Sequence, residues 1–136
     1  MKAVEYFKNG YSCSESIIKW AIDEGLVDNS LLPVATSFSG GMGVGCLCGA
    51  IAGAQMVIGY LYGRDNVAGN ELLARSKAKE FIQRFTEVHK ATCCRVLTRG
   101  LEMASPERKE HCTSMVDFCE KLLKDLCKTS NSGILN

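Results

Sequence analysis

Apolar and polar positions along this chain recur with helical rather than strand spacing, and turn signals cut the pattern into short segments. Alternating β-branched runs are missing and only two prolines occur, so helices are expected throughout. Residues 1–8 read as a short helix stopped by Asn9-Gly10. Ser12-Cys13-Ser14-Glu15 has the form of a capping box, with Ser12 as N-cap and Glu15 three residues on. The helix it opens runs from 13 to about 24, buries Ile17, Ile18, Trp20 and Ala21, and closes at Gly25. A third helix is expected over 30–38, with Pro33 in its first turn. Residues 70 to about 88 form a longer amphipathic helix. In it Leu72, Leu73, Phe81, Phe85 and Val88 should face inward, and Arg75, Lys77, Lys79 and Arg84 largely outward. Thr92 is placed to cap a short helix that opens with Cys93-Cys94-Arg95 and ends at Gly100. Ser105-Pro106-Glu107 starts the last helix, which continues to about residue 128 and leaves 129–136 as a flexible tail.

Two stretches break this rhythm. Ser39-Gly40-Gly41-Met42-Gly43-Val44-Gly45 is too rich in glycine for regular structure. Residues 46–62 are apolar apart from Gln55, and a run of about 17 residues lies at the short limit for a membrane span. Because the surrounding helices are amphipathic, we read it as the buried central helix of a soluble domain. Gly45, Gly49 and Gly53 recur every fourth residue, baring one face for close helix packing; the same face could also serve a homodimer. The expected fold is thus all-α, a single compact bundle of about five or six helices over residues 1–128.

Composition narrows the function. The 136 residues suit one domain, and 46% apolar residues suffice for a core. A net charge of +1, with both signs mixed along the helices, leaves no basic footprint for nucleic acid or an anionic membrane. The Met1-Lys2-Ala3-Val4-Glu5 start lacks the apolar run of a secretory signal, so a cytoplasmic location is expected. In such a reducing compartment eight cysteines point to metal-binding or redox thiols more than to structural disulfides.

The positions of the thiols carry more than their number. Cys13 opens a helix behind its N-cap, Cys48 falls in the first turn of the central helix, and Cys94 follows Thr92. Helix starts favour the thiolate by about 0.3–1 kcal/mol each, and the thiolate is both nucleophile and metal ligand. Cys112 lies about two turns into the last helix, on a stripe with Met115, Cys119, Leu122 and Leu126, so it can face the same interior. Cys119 and Cys127 read as packed hydrophobes. His89 and His111 read as ordinary surface or cap residues, with His89 near a helix C-terminus that favours a cation. Cys46-Leu47-Cys48 and vicinal Cys93-Cys94 match neither a thioredoxin-like C-x-x-C nor a zinc knuckle. The glycine loop lacks the last glycine of G-x-G-x-x-G and the Lys-Ser/Thr of a phosphate loop.

These residues resemble the redox-active C_GCAxxG_C_C family over roughly 6–123. The core reads Cys48-Gly49-Ala50-Ile51-Ala52-Gly53, preceded by Gly40-Gly41-Met42-Gly43 and followed by Gly59-Tyr60-Leu61-Tyr62-Gly63-Arg64. The family's other cysteines match Cys13 in Tyr11-Ser12-Cys13, Cys94 in Cys94-Arg95-Val96-Leu97, and Cys112 ahead of Met115 and Val116. Cys46, Cys93, Cys119 and Cys127 are extras. A similar pattern occurs in split-Soret cytochromes, which carry an iron–sulfur site; lacking C-x-x-C-H, this chain would not share their haem. The resemblance implies one site formed by Cys13, Cys48, Cys94 and Cys112. Its first expected use is to ligate an iron–sulfur cluster for electron transfer to a redox partner protein. Alternatives are a metal-free dithiol–disulfide protein, in which Arg95 would favour the Cys94 thiolate, and a zinc- or copper-binding regulatory module associated with transport, since family members tend to lie near transporter genes.

Overall fold

A computed structural model describes residues 1–102 and 104–130, with the helical backbone alone for 128–130. Seven α-helices occur among the described residues: α1 (Ala3–Lys8), α2 (Cys13–Asp23), α3 (Leu31–Thr36), α4 (Gly49–Tyr62), α5 (Leu72–His89), α6 (Cys94–Leu97) and α7 (Pro106–Ser130). The all-α expectation holds. The helix ends follow local chemistry. Glu15 N–H donates to Ser12 Oγ at 3.3 Å and Ser12 N–H to Glu15 Oε1 at 2.9 Å, completing the capping box of α2. Ser105 Oγ accepts the Arg108 N–H at 3.1 Å and fixes the start of α7. The last helix reaches Ser130, two residues beyond its expected end at 128; residues 131–136 lie outside the described set.

α4 is the centre, packed against α2, α5 and α7. Its side chains Ala50, Ile51, Ala54, Val57 and Ile58 are buried nearly completely with Ile17, Ile18, Phe81, Phe85, Val116 and Leu123. The first helix is tied across the bundle by buried Glu120, which accepts the Ala3 N–H at 2.7 Å and pairs with Lys124 at 3.2 Å. No described helix is long and apolar enough to cross a membrane.

Several sequence expectations need correction. The central helix begins at Gly49, not at residue 46, with Cys48 as its N-cap. Gly41–Gly45, as expected, is not regular structure: it closes a π-type turn through the Cys46 N–H to the Gly41 carbonyl at 2.9 Å, with left-handed φ at Gly40, Gly41, Met42, Gly43 and Gly45. Gly45 therefore lies outside the small-residue face, while Gly49 and Gly53 form it and pack on α2 of the same chain. A Cβ on Gly53 would sit 2.9 Å from the Ser14 carbonyl oxygen and 3.1 Å from Ile17 Cβ. On α5, Leu72, Leu73 and Val88 are exposed. The buried stripe instead follows Ala74, Lys77, Ala78, Phe81, Ile82, Phe85 and His89, a shift in phase that turns Lys77 inward, where it donates to the Leu126 carbonyl and lies over the Tyr62 ring. Thr92 does not cap α6; Cys93 occupies the N-cap position.

Candidate functional site

Four segments far apart in the chain meet at one small cavity. Cys13, Cys48, Cys94 and Cys112 all line it, together with Gly49, Leu97, Thr98 and Met115, and it encloses about 20 Å³. The capping box fixes Cys13 at the first position of α2. A Cβ on Gly49 would collide with Cys13 Sγ, so the absent side chain is what lets the two helices bring these residues together. Cys48 is buried, and the backbone N–H groups of Ile51 and Ala50 in the first turn of α4 favour its ionised form.

The glycine turn and α6 are joined across the other side. Leu47 and Cys93 form an isolated antiparallel bridge. Cys48 N–H donates to the Thr92 carbonyl at 2.8 Å, and Cys94 N–H donates to the Cys46 carbonyl. The Cys93 thiol donates to the Gly45 carbonyl at 3.0 Å, and Arg95 donates to the Val44 carbonyl at 2.7 Å. Gly41 lies where any Cβ would strike the Cys46 amide and crowd Cys94 Cβ at 2.9 Å. These contacts seat Cys94 against the cavity. The long stripe of α7 then delivers Cys112 and Met115 from below, with Cys119 buried in the core as expected.

The electrostatics differ from the sequence expectation. Burial pushes the Cys48 thiol up to about 12; the backbone donors of Ile51 and Ala50 pull it back, and charge on Cys13 or Cys94 pushes it further up. Burial also raises Cys94 and Cys112, opposed in both by Arg108 and reinforced by Cys13. A helix start is thus outweighed by desolvation at Cys48 and Cys94. The same is true of His89, whose ionisation burial depresses despite its place at a helix C-terminus. His89 is wedged against Phe85 and Phe118 at ring-centre distances of 4.6 Å. The Nε2 atoms of His89 and His111 are both buried without a hydrogen-bond partner among the described residues. Neither histidine is a simple surface residue.

Of the extras, Cys46 is exposed, Cys93 turns to the Gly45 carbonyl, and Cys127 is buried in the core. Arg108 is the site residue that sequence reasoning missed. Its guanidinium donates to Cys94 Sγ at 3.9 Å. The signal for it was present: it precedes Cys112 by one helical turn, four positions on one face. Arg95, expected to act on Cys94, instead holds the glycine turn. Among the described residues no group of three or more His, Cys, Asp or Glu side chains is arranged to hold a metal ion.

Fold and site together define a small helical protein whose distinguishing feature is a cavity lined by four thiols. The chain belongs to the C_GCAxxG_C_C family: residues 11–126 match its model, described as "Putative redox-active protein (C_GCAxxG_C_C)". No curated protein and no solved structure matches the chain, and the likeness to split-Soret cytochromes gains no support from these comparisons.

Proposed function

We propose that Cys13, Cys48, Cys94 and Cys112 form a single redox centre whose working form is an iron–sulfur cluster for electron transfer. The observation that carries this reading is the one cavity lined by all four, where a simple dithiol needs only two. The donor chemistry suits iron. Buried thiols that resist ionisation become ligands when a cation replaces their protons, and the Ile51 and Ala50 backbone N–H groups, which favour charge on the Cys48 sulfur, would tune the potential. A single zinc or copper ion needs less room but a tighter arrangement of sulfurs. Zinc–sulfur bonds of about 2.3 Å draw four thiolates to roughly 3.8 Å from one another, and no such group exists among the described residues. A cluster shares its ligands among several irons and tolerates wider spacing. When bound it would supply one-electron transfer. The chain's own part is to hold the sulfurs, to exclude water with Leu97 and Met115, and to set a positive charge beside Cys94 through Arg108.

A second reading is a metal-free dithiol–disulfide centre. The size of the cavity favours it, since 20 Å³ is about the room one water molecule needs. Anaerobic purification followed by the visible spectrum and assays of iron, sulfide and zinc separates the two. Brown protein with iron and sulfide supports the cluster, and each Cys→Ser change at 13, 48, 94 or 112 should reduce it whereas Cys119→Ser should not. Colourless, metal-free protein whose free-thiol count rises on reduction supports the dithiol. Colourless protein whose thiol count does not change on reduction rejects both.

A further inference from the structure

A second pocket opens on the outside of the thiol site, and its lining has a different character. It measures about 370 Å³, within the roughly 300–1,000 Å³ common for small-molecule sites. Gly43, Val44, Gly45, Arg95 and Arg108 are among its lining residues, and Cys94 belongs to both this pocket and the inner cavity. No carboxylate lines it, and neither arginine is in an ion pair among the described residues. One Arg95 nitrogen is anchored on the Val44 carbonyl, leaving most of its five donors unused. Gly45 is part of the arrangement, because a Cβ there would press on Arg95 Cβ at 3.2 Å and Nε at 3.3 Å. Two cationic forks without counter-charges, converging on an open pocket, call for an anion.

We propose that this pocket binds a small organic anion through its carboxylate or phosphate group, held by Arg95 and Arg108 and placed against Cys94. The size of the pocket admits a ligand of several residues' or a sugar phosphate's bulk rather than a lone inorganic ion. Because Cys94 is common to both spaces, a ligand here lies next to the one site sulfur reachable from this side. The binding itself does not require the redox reading; only the role of Cys94 as its neighbour rests on it.

The test is calorimetric titration of the purified full-length protein with three probes. S-methylglutathione supplies carboxylates and cannot exchange disulfides, glycerol 3-phosphate supplies a phosphate, and the dimethyl ester of S-methylglutathione supplies neither. Binding of either anion, but not of the ester, supports the proposal and identifies which oxyanion is preferred. Affinity should fall with added salt and drop roughly tenfold or more in Arg95→Gln and in Arg108→Gln, while Arg99→Gln, outside the pocket, leaves it unchanged. Arg95 is exposed, so its variant should fold even if Arg108→Gln does not. Failure of both anions to bind, equal binding of the ester, or undiminished affinity in Arg95→Gln overturns the proposal. Cys94→Ser keeps the two readings apart: it should retain anion binding even where it loses the visible spectrum or the redox-sensitive thiols.

Discussion

Cys13 and Cys48 are held by two helices in direct contact, whereas Cys94 and Cys112 are held by a glycine turn, a four-residue helix and the first turns of α7. On the first side glycine removes side chains so that α2 and α4 can close, and sulfur meets backbone. On the second, Cys94 and Cys112 each also border an outer pocket, and Arg108 lies in both of those pockets. The thiol set thus has an inner wall built for fixed packing and an outer wall built for access. The difference teaches that the shared motif is not uniform in purpose: its glycines serve the inner wall, its last two cysteines the outer one.

The strongest way to break the comparison is to put a side chain where the inner wall has none. Gly49→Leu should destabilise by at least about 1–3 kcal/mol, because the new Cβ meets Cys13 Sγ in a closed helix contact. Gly59 is on the same helix but has nothing within 4 Å of a Cβ, so Gly59→Ala should stabilise by about 0.5–1 kcal/mol. Urea unfolding of both variants checks this. Equal effects from the two would mean that the α2–α4 contact is not the tight one.

Thiol chemistry sharpens it next. Burial pushes Cys48 up to about 12, so at neutral pH it should present far less thiolate than a free cysteine. In metal-free reduced protein, iodoacetamide labelling followed by mass spectrometry should find exposed Cys46 among the first residues modified and Cys48 and Cys119 among the last. The Cys48 rate should climb as pH rises toward its ionisation. Arg108→Gln is the smaller perturbation of the same kind. It removes the charge that opposes burial at Cys94 and Cys112, so labelling of both should slow several-fold while that of Cys46 does not.

Much of this was legible beforehand because it follows from local rules. The Ser12–Glu15 capping box, the Ser105 start of α7 and the α7 stripe needed only residue spacing. The four cysteines that line one cavity are those singled out from helix placement and family resemblance. What failed was set by tertiary contact. The start of α4 was masked because Cys46 and Leu47 are apolar yet pair with the segment around Cys93. The phase of α5 was misjudged because Leu72, Leu73 and Val88 are as apolar as Phe81 and Phe85, and only packing decides which set is covered. Desolvation, which reverses the expected effect of the helix starts on Cys48 and Cys94, depends on atoms supplied by distant segments.

The smallest effect lies away from both walls, at the α5–α7 contact under acid. His89 packs between Phe85 of its own helix and Phe118 of α7, and burial, then the nearby His111, holds its ionisation below the usual 6.5. The folded state therefore binds fewer protons there than the unfolded chain, and stability from this group is complete above about pH 6.5. It declines as pH falls from that value toward the folded one and is constant below both. Because the imidazole keeps part of its surface in water, the loss should be less than the change caused by Gly59→Ala. The contrast is His89→Phe, which retains the aromatic contact without a titrating group. Urea midpoints of the two proteins measured from pH 7.5 to 5 should diverge only below about 6.5, with the native protein falling faster. Parallel curves would show that the α5–α7 contact accepts a proton at no cost.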